Sequence, residues 1–220
     1  MEKELNASRQ NSLSTYVFKK LREGIISGKY KENDELRELA IGNELGVSRT
    51  PVREALRQLE LEGLVNIVPN KGAYVIGIST KDIHDIYEMR SLLEGLCAKK
   101  ATKIITEEQL AELESILDLS DFYYEKGKME KVHELDNSFH EGIYSAADSK
   151  MLRHTLSDFH QYIKAMRKTT LGESERVHNS NMEHRALLEA MKERDAEKAA
   201  KLAREHIAKA VKNIKAHDLW

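Results

Sequence analysis

No proline occurs after Pro69, and from Ser79 onward the apolar residues recur at helical spacing. Proline removes an amide donor and clashes with the preceding turn, so a long stretch without it has little to interrupt a helix. Ile83, Ile86, Tyr87, Leu92, Leu93 and Leu96 pattern the first of these helices, which starts at Ser79-Thr80. Further helices are expected over about 106–126, 128–146, 149–170, 174–193 and 195–217, with breaks at Gly127, Asp148, Gly172 and Asp195. Thr106, followed by Glu107 to Gln109, is a start signal, because hydroxyl and amide side chains three apart can each serve the other's backbone N–H. Asp148 and Asp195 read as caps. Residues 79–220 are therefore expected to form an all-α domain.

The residues before it carry a different pattern. Tyr16, Val17, Leu21, Ile25 and Ile26 predict a first amphipathic helix, capped at Ser14 and stopped at Gly28. Leu39, Ala40, Ile41 and Leu45 predict a short second helix ending at Gly46. Ser48 is placed to cap a third, with Pro51 early enough that its missing N–H costs little. Val52, Ala55, Leu56 and Leu59 should pack inward, while Arg49 and Arg53, four apart, share another face. Taken alone, such an arginine pair is usually a solvated surface. Its flanks give it meaning, since helix, glycine turn and helix together are the helix-turn-helix arrangement. Leu64, Val65, Ile67 and Val68 then predict a strand, Asn70-Lys71-Gly72 a turn, and Ala73 to Ile76 a returning strand, which makes a two-stranded wing. On this reading residues 14–78 are a winged helix-turn-helix DNA-binding domain, and 1–13 a flexible tail. Arg49 and Arg53 would meet base edges and phosphates in the major groove, and Thr50 a phosphate or a thymine methyl. Gly72 would let the wing backbone approach the duplex closely, with Lys71 supplying charge.

At this point the chain resembles the GntR superfamily of bacterial transcription regulators. The resemblance rests on Gly28 in SGKY, on LGVSRTPVREALRQLELEGLV at 45–65, and on NKGAYV at 70–75. It implies that Arg49, Thr50 and Arg53 contact the operator and that Gly72 sits in the wing. One departure is Ile41-Gly42, where relatives usually carry Leu-Ala; a glycine there is expected to loosen the second helix by about 1 kcal/mol. Arg37, just before that helix, is a further candidate phosphate contact.

Composition limits the remaining classes. The 220 residues are 40% hydrophobic, enough for a sizeable core. A single cysteine, Cys97, excludes an intrachain disulfide framework and suits a reducing cytoplasm. The polar start MEKELNASRQ has no apolar run of the kind a secretory signal carries, and no later run approaches a membrane span, so a cytoplasmic protein is expected. Net charge is -2, with acidic residues crowding the later part, so charge suited to DNA must be local to the first domain. One winged helix reads few base pairs, which calls for a homodimer on a palindromic double-stranded operator. Ile83, Ile86 and Leu93 are candidate interface residues, although each also suits the core.

The chemistry of the helical part lies in its histidines. Asp136 and His140 are four apart and so share a helical face, and His184 and His206 lie on two other expected helices. Apolar neighbours point all four inward: Leu135, Phe139 and Ile143 for the first pair, Leu187, Leu188 and Met191 for His184, Ile207, Ala210 and Val211 for His206. One carboxylate and three imidazoles can close around a divalent transition metal, and an inward Asp needs a partner. Spacing leaves an unmetallated polar cluster equally open. His84, His133, His154, His178 and His217 have polar surroundings and read as surface, and His160 is undecided.

DNSFHEGIYSAADSKML and EHRALLEAMKERDAEKAAKLAREHI resemble the FCD-type effector domain of the FadR branch of that superfamily. The resemblance implies an antiparallel helical bundle and a divalent metal held by Asp136, His140, His184 and His206, with zinc first and nickel, manganese or iron as alternatives. It also implies that Arg90, in YEMRSLLEGLCA, lines the same cavity and clamps a small carboxylate or hydroxy-acid effector. Arg90 has a second reading, a helix-surface pair with Glu94. The function expected is a ligand-responsive transcription regulator, with repression as its mode. Two alternatives are a metal-responsive regulator without an organic effector and a metal-dependent hydrolase fused to a DNA-binding head. The hydrolase lacks an HExxH motif, a phosphate loop and a nucleophile elbow, so an enzyme is not expected.

Overall fold

In the computed structural model, which describes residues 2–167 and 174–216, the chain divides into two compact units, residues 1–79 and residues 80–220. The first opens with α1 (Glu2–Ile26), whose Val17, Leu21 and Ile25 recur every four residues, are buried, and bring the helix against α3. Ser14 lies inside α1 and is buried, so it is not a cap. Nothing between Glu2 and Ser14 is Pro or Gly, and a helix without a breaker extends past a serine that tertiary packing has covered. The helix ends before Gly28, whose φ of 76 places it in the left-handed region.

Next come β1 (Glu35–Leu36), α2 (Glu38–Leu45) and α3 (Arg49–Leu61), then β2 (Val65–Val68) and β3 (Gly72–Val75). The sheet order is β1-β3-β2, antiparallel throughout, with Val65 opposite Val75 and Val68 opposite Gly72. The wing thus has a third strand that the apolar pattern does not announce. Two residues cannot display an alternation, and only Leu36 of that strand is buried. Leu39, counted in the apolar pattern of α2, is 63% exposed; Ile41 is the buried residue of that helix, beside Gly42.

Gly42 turns out to be a requirement of the turn. A Cβ there would stand 2.8 Å from the Val47 carbonyl oxygen, and the Val47 N–H donates to the Gly42 carbonyl at 2.9 Å. The turn folds back onto α2 at this point, so the expected gain from alanine's helix propensity is outweighed by a backbone clash.

The second unit is a bundle of α4 (Thr80–Ile104), α5 (Glu107–Glu125), α6 (Met129–Ala146), α7 (Lys150–Arg167), α8 (Ser174–Lys192) and α9 (Ala196–Ala216). Its main core gathers Leu113, Leu117, Phe139, Ile143, Leu156, Leu188 and Met191. The α4 helix runs against α9 at Gly95, where a Cβ would meet Arg204 and the Ala200 carbonyl. The Thr106 capping box forms, with Gln109 N–H donating to Thr106 Oγ1 at 3.2 Å and Thr106 N–H to Gln109 Oε1 at 3.0 Å. Asp195 accepts from Lys198 N–H at the start of α9. Asp148 is not a cap. It has a φ of 46 just past α6, and Ser149 Oγ instead accepts from Leu152 N–H at the start of α7. Gly172 and His217 lie outside the described residues. Ile86 is buried, and Ile83 and Leu93 pack against the core, whereas Met89, Leu92 and Leu96 are the large exposed apolar residues along the middle of α4. Among the described residues no helix is long and apolar enough to cross a membrane.

Candidate functional site

In the first unit, burial of Val52, Ala55, Leu56 and Leu59 turns the opposite side of α3 outward. Ser48, Arg49, Thr50 and Arg53 are exposed there. Ser48 holds the extended backbone of an N-cap (φ -71, ψ 168), but its hydroxyl makes no capping hydrogen bond, contrary to expectation. Arg49 and Arg53 converge on the carboxylate of Glu38, the first residue of α2. Arg37 is exposed and pairs with Glu35 at 2.7 Å. In the wing turn Asn70 has φ 60 and Gly72 φ 120, both in the region that side chains disfavour. A Cβ at Gly72 would stand 3.3 Å from Glu35 Oε1, so close packing against the neighbouring strand adds to the need for glycine. Lys71 is exposed, and its carbonyl accepts from the Tyr74 hydroxyl at 3.1 Å.

In the second unit the bundle brings His140 (α6), His184 (α8) and His206 (α9) together. One ring nitrogen from each lies within 4.8 Å of the others, and all three side chains are buried. His184 Nε2 and His206 Nε2 are 3.3 Å apart. Asp136, also buried, stands at the edge of this group, with its Oδ1 3.9 Å from His184 Nε2. Phe139 stacks on His184 at 4.6 Å and fixes its ring plane. Both ring nitrogens of His140 are buried without a hydrogen-bond partner, an arrangement that costs free energy unless something else meets them. Burial, the largest influence, pulls the His206 pKa below its ordinary value, which favours the neutral imidazole that metals bind.

Outside this group sit residues that sequence reasoning missed or misjudged. Glu183, the sequence neighbour of His184, reaches the adjacent helix. Its Oε2 lies 2.7 Å from His206 Nδ1, and Arg176 donates to its Oε1 at 3.0 Å. Burial works to raise the Glu183 pKa, yet bonds from His206 and Arg176 hold it down at about 2. A carboxylate on Nδ1 of this kind orients an imidazole and makes its other nitrogen a better ligand. His160 is buried and bonds to Asn137 Oδ1 through Nε2, with its ring 5.1 Å from that of His140.

Arg90 is 1% exposed, so it is no surface residue, yet the pair with Glu94 forms: Nη2 donates to Glu94 Oε1 at 2.8 Å. The Tyr144 hydroxyl donates to the same oxygen at 2.6 Å, and Glu94 Oε2 lies 3.7 Å from His140 Nδ1. Burial would raise the Glu94 pKa, but His140 and Arg90 hold it well below the ordinary carboxylate range. Spacing of four made this pair visible in the sequence; its burial was not. Burial also pushes the Cys97 thiol up to about 12, which leaves it unreactive.

A winged helix that turns two arginines outward, joined to a helical bundle enclosing a buried imidazole cluster, is the architecture of a DNA-binding regulator with a second, helical domain. Residues 13–75 match the family of bacterial regulatory proteins called the gntR family, and residues 85–209 match the FCD domain. The chain belongs to the GntR family, in the group that carries an FCD domain, and is a transcriptional regulator rather than an enzyme. It is 24% identical over 215 residues to the HTH-type transcriptional repressor RspR of Escherichia coli K12, covering 98% of this chain and 93% of that protein. It is 34% identical over 142 residues to the gluconate operon transcriptional repressor of Bacillus subtilis, covering 64% of this chain and 58% of that one. Among solved structures, Escherichia coli McbR/YncC has the same fold, with a TM-score of 0.74 at 22% identity over 93% of this chain and 98% of that chain.

Proposed function

We propose that this protein is a cytoplasmic homodimeric repressor whose helical domain binds a divalent metal and a small carboxylate effector, and that filling this site changes operator affinity. The observation that carries the proposal is the buried convergence of His140, His184 and His206, with both His140 nitrogens lacking a hydrogen-bond partner. Polar atoms left in that state favour an electrophile among them, and three imidazoles with a nearby carboxylate are a donor set suited to zinc, with nickel, manganese or iron as alternatives. His140, His184 and His206 would hold the ion, with Asp136 as the anionic ligand at the edge. A bound divalent ion would supply a positive centre with open positions for the oxygens of an acid.

The chain's own groups prepare this site. Glu183 sets the His206 tautomer, and Phe139 holds the His184 ring. Gluconate, which gives its name to the operon of one relative, is itself a hydroxy acid. The operator would be palindromic, read by Arg49, Thr50 and Arg53 of each protomer, with Ser48, Arg37, Lys71 and Gly72 at the backbone. Met89, Leu92 and Leu96 offer an apolar stripe for the second protomer.

A second reading has an observation of its own. Arg90 is already neutralised by Glu94, so an incoming carboxylate would compete with an internal one. That favours a regulator responding to the metal itself. Metal analysis of protein purified without chelator, followed by operator binding with and without gluconate and related acids, tests both. An effector response retained in full by an Asp136→Ala, His140→Ala double variant would exclude the proposed site. A metal response with no acid response would select the second reading.

A further inference from the structure

Glu38 accepts from both arginines of α3 at once. Arg49 donates to Glu38 Oε2 through Nε at 3.1 Å and Nη2 at 2.9 Å, and Arg53 donates through Nε to Oε1 at 2.9 Å and through Nη2 to Oε2 at 3.0 Å. In each case the carboxylate engages the Nε–Nη2 edge of the guanidinium. The end formed by Nη1 and Nη2, which can also serve a guanine or a phosphate in bidentate fashion, is not the edge Glu38 uses. Glu38 is itself the more sheltered partner, with a side chain 24% exposed against 63% for Arg49 and 53% for Arg53. It sits on α2, so the carboxylate is held by a different helix from the one that carries the arginines.

We propose that Glu38 is a positioning residue that sets DNA specificity: it presents Arg49 and Arg53 in one fixed arrangement and removes one positive charge from a face that would otherwise hold any phosphate backbone. The inference rests on α3 being the reading helix. Two unrestrained arginines would follow the nearest phosphates and gain most from sequence-independent attraction. Held by one carboxylate, they have given up most of their rotamer freedom before binding, so a duplex with matching acceptors loses less on complex formation than one without. A negative charge this close to the backbone also weakens binding to every sequence, and the matching sequence offsets that loss through its base contacts.

The test uses the full-length protein, a randomised 30-bp duplex and the tightest duplex that the wild type selects from that library. Glu38→Gln keeps the shape and removes the charge. It should bind the random duplex more tightly, steepen the salt dependence on that duplex by about one unit of log–log slope, and lower the selected-to-random affinity ratio about tenfold. In an Arg53→Ala background the same substitution should change the ratio much less, because the two residues act through one contact. An unchanged ratio in Glu38→Gln, or equal loss on both duplexes as a purely structural ion pair would give, overturns the proposal. Arg49→Ala and Arg53→Ala report separately on the reading helix. If both bind the selected duplex like the wild type, α3 is not the reader; if they lose it while Glu38→Gln keeps the ratio, only the role of Glu38 is rejected.

Discussion

Glu38 has a further consequence for the free protein. Hydrogen bonds from Arg53 and then Arg49 hold its carboxyl below the ordinary value of 4.5, against burial that works to raise it. A lowered folded pKa means that its stabilisation is complete above the ordinary value and is lost as pH falls through the folded one. Acid titration of thermal stability should therefore show a larger loss for the wild type than for Glu38→Gln as pH falls below the ordinary value of 4.5. At the buried Arg90–Glu94 pair, Glu94→Gln leaves a guanidinium buried without its counter-charge and should cost about 3–5 kcal/mol in urea unfolding of the metal-free protein. Glu183→Gln should weaken zinc binding about 10–100-fold in a competition titration, because the orienting carboxylate on His206 is gone.

At the scale of elements, the packed turns decide what propensity cannot. Gly42→Ala raises helix propensity in α2, yet the new Cβ would press on the Val47 carbonyl. It should destabilise the protein by about 1–3 kcal/mol where propensity alone predicts a gain of about 1. Chemical denaturation of the variant gives the sign directly. The same contrast explains how Ser14 and Asp148 mislead. Both have the chemistry of caps, but α1 continues through the first, and the second takes a left-handed conformation while Ser149 serves the next helix. Thr106 is read correctly because its partner Gln109 is only three residues away and the whole motif is local.

For the whole molecule, a metal that binds only the folded bundle should raise its stability by mass action, by about 2.7 kcal/mol at a free concentration of 100 times the dissociation constant. Thermal melts with zinc and with a chelator should differ accordingly, and a His184→Ala, His206→Ala variant should show no difference. The six long helices, the helix-turn-helix and the wing were legible from the sequence because each depends on a period or a short motif that neighbouring residues complete. Asp136, His140, His184 and His206 were legible as inward-facing residues for the same reason. Sequence could not show that His140, His184 and His206 converge with Asp136 just outside, that Glu183 crosses to the neighbouring helix, or that the Arg90–Glu94 pair is buried. Nor could it show that Glu38 gathers Arg49 and Arg53, residues 11 and 15 positions away. Side-chain periodicity fixes which way a residue points from its own helix. Which charges and ring nitrogens then meet depends on the crossing of helices distant in sequence, and only tertiary packing sets that.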